Sequence, residues 1–298
     1  VRRGPADGVP VVLVHGFGSS AYHWRHNIVA IADAGYNVYA LDLLGFGRSD
    51  KPVVDYGAEL WKEQLAAFID GVIRSPVVLV GNSLGGYAVL KTAVDRPDLA
   101  YGVALLNGAG PFSDANGDEQ LRRQLELGGE QALLALSRIV ADSEALPEQP
   151  REDLRRSLVA AAFFYLRSPA RIREVLASVY PVNRTGVDDD LVSSILLPAY
   201  HPDALEVYAR LVRGSPKGET SSGDFADTLC QRLAAPLLLL WGTEDPWVKL
   251  AIADKMEAAY QGQRCQRVHV EAGHCPMDET PERVNEVLLE WIASLAEG

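Results

Sequence analysis

Pro76-Val77-Val78-Leu79-Val80-Gly81-Asn82-Ser83-Leu84-Gly85-Gly86 is the stretch on which the fold turns. The continuously apolar run Pro76 to Val80 suits a central strand of a parallel sheet covered on both faces. A helical pattern, Leu84 to Asp95, begins without a connecting loop. A strand that becomes a helix across one residue forces strained backbone angles on the residue at the apex. The neighbours two positions to either side must be small, and Gly81 and Gly85 are. This is the G-x-S-x-G context that lifts a serine hydroxyl clear of a sheet, and the helix N-terminus favours negative charge developing there. A glycine-rich turn merely capped by a serine has the same letters, so the reading rests on partners elsewhere.

Outward from the elbow, strands and helices alternate. Upstream, Val9 to Val14 reads as a strand, Ala21 to Ala34 as a helix, Tyr36 to Leu41 as a strand, and Ala58 to Ile73 as an amphipathic helix. Downstream, Val103 to Leu106 is a strand. The alternation resumes at Pro236 to Trp241 (strand), Val248 to Tyr260 (helix), Gln266 to Val270 (strand) and Pro281 to Leu295, a closing helix with Pro in its first turn. The fold class is α/β: a mostly parallel, doubly wound sheet.

Between residues 111 and 227 the strand signal vanishes. Helices are expected at Glu119 to Leu127, Glu130 to Ala141, Arg151 to Leu166, Pro169 to Val179, Asp188 to Leu196 and Asp203 to Val212, with a Gly- and Ser-rich return from Gly214 to Gly223. The organisation is therefore a core of residues 1–110 and 228–298 with a helical cap, 111–227, over the carboxyl edge of the sheet, where open α/β sheets bind ligands.

Ser83 needs a base, and His274 lies just past the last strand in Ala272-Gly273-His274-Cys275-Pro276. A loop at that edge lets an imidazole reach the hydroxyl. Asp245 follows the strand ending at Trp241 and can hold the imidazole N–H. Glu244 competes, and the four-residue offset of Asp245 from the strand end favours Asp245. The chain order Ser83, Asp245, His274 is the one found with this elbow. The oxyanion donors are the backbone N–H groups of Phe17, in His15-Gly16-Phe17-Gly18, and of Leu84. His15 reads as a structural hydrogen-bonding residue, Cys275 as a small packed one, and Gly45-Phe46-Gly47 as a tight loop near the site. Phe163, Phe164, Leu196 and Trp247 are the candidate substrate-lining residues, although apolar helical positions are more often plain core.

Composition narrows the field. A net charge of −12 argues against nucleic acid. Cys230, Cys265 and Cys275 give neither a disulfide framework nor a zinc spacing, and favour a reducing compartment. His23, His26, His201 and His269 lack metal spacing, so no metal or other cofactor is expected. No apolar run reaches the roughly 18 residues of a membrane span. The first residues, Val1-Arg2-Arg3-Gly4-Pro5, lack a secretory h-region, and a chain that opens at Val is compatible with removal of a targeting peptide. Oligomeric state is not legible.

These residues are similar to the α/β-hydrolase superfamily, and within it the chain resembles pheophytinases and the related chlorophyll dephytylases. The stretches that carry the likeness are His23-Trp24-Arg25, Leu41 to Ser49, Gly81-Asn82-Ser83, Leu105-Leu106-Asn107, Asp245-Pro246-Trp247-Val248, and Ala272 to Pro276 with Asp278-Glu279 and Pro281-Glu282. In the cap they are Val179-Tyr180, Val187-Asp188-Asp189 and Leu191. The resemblance implies hydrolysis of the phytyl ester of a chlorin pigment, with Ser83, Asp245 and His274 as the catalytic residues. It implies a substrate with a long isoprenoid tail, compatible with a peripheral membrane contact. The setting would be chloroplast stroma or thylakoid surface in a plant or alga, and cytoplasm or thylakoid surface in a cyanobacterium. His15 departs from the Pro or Asn of those pigment esterases. Three alternatives stay open: another small-molecule carboxylesterase, a carbon–carbon bond hydrolase of aromatic catabolism, and a ligand receptor on a hydrolase scaffold. Haloalkane dehalogenases and epoxide hydrolases resemble the fold with Asp as nucleophile, and Ser83 argues against them.

Overall fold

Along the inner strands, side chains alternate between two apolar clusters, one on each face of a single sheet. Val12 and Val14 of β2 (Pro10–Val14) enter one cluster, Val11 and Leu13 the other. The same alternation separates Val77 and Leu79 from Val78 and Val80 in β4 (Val77–Asn82). It separates Leu237, Leu239 and Trp241 from Leu238 and Leu240 in β6 (Leu237–Gly242). Side chains on a strand alternate with period two, so strands without polar alternation must be covered on both sides.

The computed structural model describes residues 1–113, 148–213 and 223–296. With β1 (Arg2–Arg3), β3 (Asn37–Leu41), β5 (Ala100–Leu106) and β7 (Cys265–Val270), the described residues form a seven-stranded sheet in the order β1-β3-β2-β4-β5-β6-β7. All pairings are parallel except that of β1 with β3. The β1 edge was not legible, because two residues carry no periodicity.

Helices α1 (Arg25–Asp33), α2 (Ala58–Phe68) and α3 (Leu84–Asp95) connect the first strands. The expected helix from Ala21 divides: Ala21–Trp24 is 3₁₀, pinned where the Asp42 carboxylate accepts the Ala21 N–H at 2.7 Å, and α1 follows. The expected helix Ala58 to Ile73 ends in a widened π turn, Ile69–Ile73. Arg74, at φ 63°, donates its N–H to the Ile69 carbonyl and closes it.

Inserted between β5 and β6 are α4 (Glu148–Leu166), α5 (Pro169–Val179), α6 (Asp189–Leu196) and α7 (Ala204–Arg213). The helices expected at 119–127 and 130–141, and the return at 214–222, lie outside the described residues. Local chemistry sets the starts of α5 and α6. The Ser168 hydroxyl caps α5 by accepting from Arg171 N–H, with Pro169 at its first position, and Asp188 caps α6 by accepting from Leu191 N–H at 2.7 Å. Ile172, Leu176, Tyr180, Leu191 and Val192 join one apolar cluster, while Val207 of α7 joins the other. The cap thus shares packing with both sides of the sheet. The chain returns through α8 (Ala226–Arg232) and ends with α9 (Leu250–Ala259), the short α10 (Pro276–Glu279) and α11 (Pro281–Leu295).

Candidate active site

The transition from β4 to α3 places Ser83 at φ 52°, ψ −120°, a conformation that L-residues rarely hold. The surrounding backbone enforces it. A Cβ on Gly81 would run into the backbone of Gly85, and one on Gly85 would run into the carbonyls of Val14 and His15. The second clash also shows that the loop leaving β2 lies against the elbow. Leu84 is the first residue of α3, so its N–H is one of those an α-helix leaves without an internal acceptor. Phe17 stands in the loop after β2, 56% exposed, with its ring edge-on to Phe46 at 5.7 Å.

His274 and Asp245 meet. His274 Nδ1 donates to Asp245 Oδ2 at 2.8 Å, and both residues are buried. Glu244 points to solvent. Asp245 accepts three further bonds, from Trp247 N–H at 2.7 Å, Val248 N–H at 3.0 Å and the Asn107 side-chain amide at 2.6 Å. Burial by itself would raise this carboxyl. The His274 imidazole and the backbone N–H donors outweigh it and hold the group below the usual carboxylate range. Trp247 also stacks obliquely beside the imidazole, ring centres 5.0 Å apart.

Ser83 is joined to this pair through its neighbour. The Asn82 side-chain amide donates to the His274 carbonyl at 2.9 Å and to the Leu106 carbonyl at 3.0 Å, tying the elbow to the histidine loop. Among the described residues, the Ser83 hydroxyl forms no hydrogen bond, including none to His274. Contacts of this kind commonly tighten only when substrate binds.

His15 uses both ring nitrogens structurally: Nδ1 donates to the Gly16 carbonyl at 2.7 Å, and Nε2 accepts the Leu43 N–H at 3.0 Å. Burial lowers its basicity, and its two bonds fix the loop after β2. Cys275 is buried and its thiol is pushed well up by that burial, which suits packing rather than nucleophilic chemistry. The Gly45-Phe46-Gly47 loop does adjoin the site, since Phe46 packs edge-on against both His15 and Phe17.

Of the lining candidates, Trp247 is brought to the histidine. Phe163 is buried against Phe164 and Tyr208, Phe164 is over half exposed, and Leu196 packs against the apolar cluster below the cap. Sequence reasoning missed the role of Asn107. It stands directly after β5 at φ 46°, gives its amide to Asp245 and accepts the Gly242 N–H at 3.0 Å. The available signal was an Asn at the carboxyl end of an apolar strand, a residue type that tolerates positive φ. Among the described residues, no group of three or more His, Cys, Asp or Glu side chains is arranged to hold a metal ion.

A model of the alpha/beta hydrolase family matches residues 11–287. The chain is 28% identical to the chloroplastic pheophytinase of Arabidopsis thaliana over 98% of its own length and spans 63% of that protein's length. It is 29% identical to epoxide hydrolase A of Mycobacterium tuberculosis, covering 99% of this chain and 94% of that one. Its fold superposes with a TM-score of 0.70 and 20% identity on a serine hydrolase involved in carbazole degradation, covering 98% and 93% of the two chains.

Proposed function

Because this chain belongs to the alpha/beta hydrolase family, we propose that it is a serine esterase whose substrate is the phytyl ester of a chlorin pigment. Ser83 is the nucleophile, His274 the general base and Asp245 the acid that orients it. His274 Nε2 takes the Ser83 proton as Oγ attacks the ester carbonyl. Nδ1–H stays bonded to Asp245, which fixes the tautomer and offsets the positive charge formed on the ring. The Phe17 and Leu84 N–H groups receive the oxyanion, each such donor contributing roughly 3 kcal/mol. The C–O bond to phytol breaks and the alcohol leaves with the proton from Nε2. Water, deprotonated by the same nitrogen, then cleaves the acyl-serine to release the chlorin acid and regenerate Ser83.

The observation that carries the serine reading is the strained Ser83 elbow, tied through Asn82 to a buried His274–Asp245 pair. The pigment reading draws on the pheophytinase likeness along nearly the whole chain, and on a helical cap whose apolar faces suit a bulky, greasy substrate. The epoxide hydrolase likeness is of similar size, but position 83 offers a hydroxyl where that chemistry calls for a carboxylate nucleophile. Work beside pigment-bearing membranes, in a chloroplast or a cyanobacterial cell, follows from the same reading. Among the described residues no helix is long and apolar enough to cross a membrane.

The test incubates the wild type and Ser83→Ala separately with pheophytin a, chlorophyll a and a short-chain aryl ester, and measures the acids released. Dephytylated pigment from the wild type alone supports the proposal. Cleavage of the short ester only would remove the pigment. Undiminished cleavage by Ser83→Ala would remove the serine mechanism.

A further inference from the structure

The loop that carries His274 is gripped on its outer side by the cap. The His274 N–H donates to the Val179 carbonyl at 3.0 Å, and a Cβ on the preceding Gly273 would collide with Val179 and Pro181. One side chain holds both parties. Glu279, only 1% exposed, accepts the Val182 N–H at 2.7 Å and the Asn183 N–H at 2.9 Å with Oε1, and the Gly273 N–H with Oε2. Its backbone carbonyl also accepts the Asn183 side-chain amide at 3.1 Å. Among the described residues no Lys, Arg or His forms an ion pair with it. Three backbone donors from two segments far apart in the chain, Val182–Asn183 and Gly273, converge on one buried carboxyl group.

We propose that Glu279 is a positioning residue for the base: by bonding Gly273 and the cap segment Val182–Asn183 together, it couples the placement of the cap to the placement of the His274 imidazole. This rests on His274 acting as the base of Ser83. The grip lies one residue from His274, so a shift of Gly273 is passed directly to the ring. The core provides the other hold, through Asp245 and Asn82. The imidazole is therefore suspended between a fixed core and a cap anchored by a carboxyl group, and cap displacement would reach the chemistry through Glu279.

Glu279→Gln keeps the volume and one acceptor oxygen but sets an amide NH₂ against one of the three N–H donors. Fluorophosphonate labelling of Ser83 reports the base without any natural substrate. Labelling of the wild type and not of Ser83→Ala is the condition for the parent reading; its absence would sink that reading rather than this one. With it met, Glu279→Gln should label about 10- to 100-fold more slowly, the loss that a misplacement of up to an ångström can cause. For the short ester, kcat should fall with KM held within about twofold. The far-downfield NMR signal of the imidazole proton between His274 and Asp245 should shift or broaden. Asp188→Ala, which removes one of the cap's two ties to Arg25, leaves the other at the Gly186 carbonyl and does not touch Gly273, should label at the wild-type rate. Labelling of Glu279→Gln at the wild-type rate, or an equal loss in Asp188→Ala, overturns the proposal. If the Gln variant does not fold, hydrogen exchange on the wild type decides: the amides of Val182, Asn183 and Gly273 should open together, and independent opening of Gly273 refutes the coupling.

Discussion

The carboxylate bonded to His274 and the carboxylates that hold the cap are built on different plans. Asp245, at the end of β6, is surrounded by donors that the core itself fixes: two backbone N–H groups, the Asn107 amide and the imidazole. Asp278, at the cap seam, is equally buried but leans on long side chains. Arg25 donates to it at 2.8 and 3.3 Å and the Tyr180 hydroxyl at 2.8 Å, while the same guanidinium also serves Asp188 and the Gly186 carbonyl. The outcomes diverge. Asp245 is held below the usual carboxylate range, whereas burial lifts Asp278 above it despite its cation. Short, pre-oriented backbone donors stabilise a buried charge better than one shared, flexible arginine does. The core site is thus preorganised, and the seam is adjustable.

The largest expected effect tests the core side alone. Ser83→Ala should cut ester turnover by about 10⁴- to 10⁶-fold and leave thermal unfolding within a few degrees of wild type; retained turnover would mean that the core elbow is not where the chemistry happens. Gly85→Ala should destabilise the fold by about 3 kcal/mol or more, because its Cβ meets backbone that cannot move aside. Urea unfolding measures this, and a stable variant would show the elbow to be less constrained than its geometry implies.

Asn107→Ala should cost about 1.5–3 kcal/mol of stability, the range for a hydrogen bond to a charged group, and lower kcat with little change in KM. Loss of the same stability without loss of kcat would make Asn107 a strand-end cap only. The two carboxylates themselves should respond oppositely to acid. A lowered folded pKa means that Asp245 stabilises the fold at neutral pH and that this is lost as pH falls; a raised one means that Asp278 favours the fold at low pH and withdraws that support as pH rises. Across about pH 3 to 6, Asp245→Asn should therefore flatten the rise of the urea midpoint with pH, and Asp278→Asn should steepen it. Matching slopes in the two variants would erase the distinction between core and seam. The smallest effect belongs to the cap surface: Phe164→Ala should change stability by no more than about 0.5 kcal/mol, and raise KM for a phytylated pigment a few-fold while sparing the short ester.

Much of this was legible without coordinates. Unbroken apolar strands, the glycines at 81 and 85, and Pro281 in the first turn of the closing helix act over a handful of neighbours, so local sequence determines them. The helices Leu84–Asp95, Pro169–Val179 and Pro281–Leu295 have the bounds that periodicity and capping imply. The 3₁₀ start at Ala21 was not legible, because Asp42 imposes it from the next strand's end.

Tertiary structure alone decided what holds Asp245, the His274 loop and the cap. Asn107 meets Asp245 across 138 positions and Glu279 meets Val182 across 97. In the sequence each is an unremarkable polar residue beside an apolar run. Only strand register at the carboxyl edge, and the seating of the cap on the histidine loop, bring those donors and acceptors within bonding distance. Such partnerships depend on three-dimensional closure rather than on spacing along the chain, and periodicity carries no trace of them.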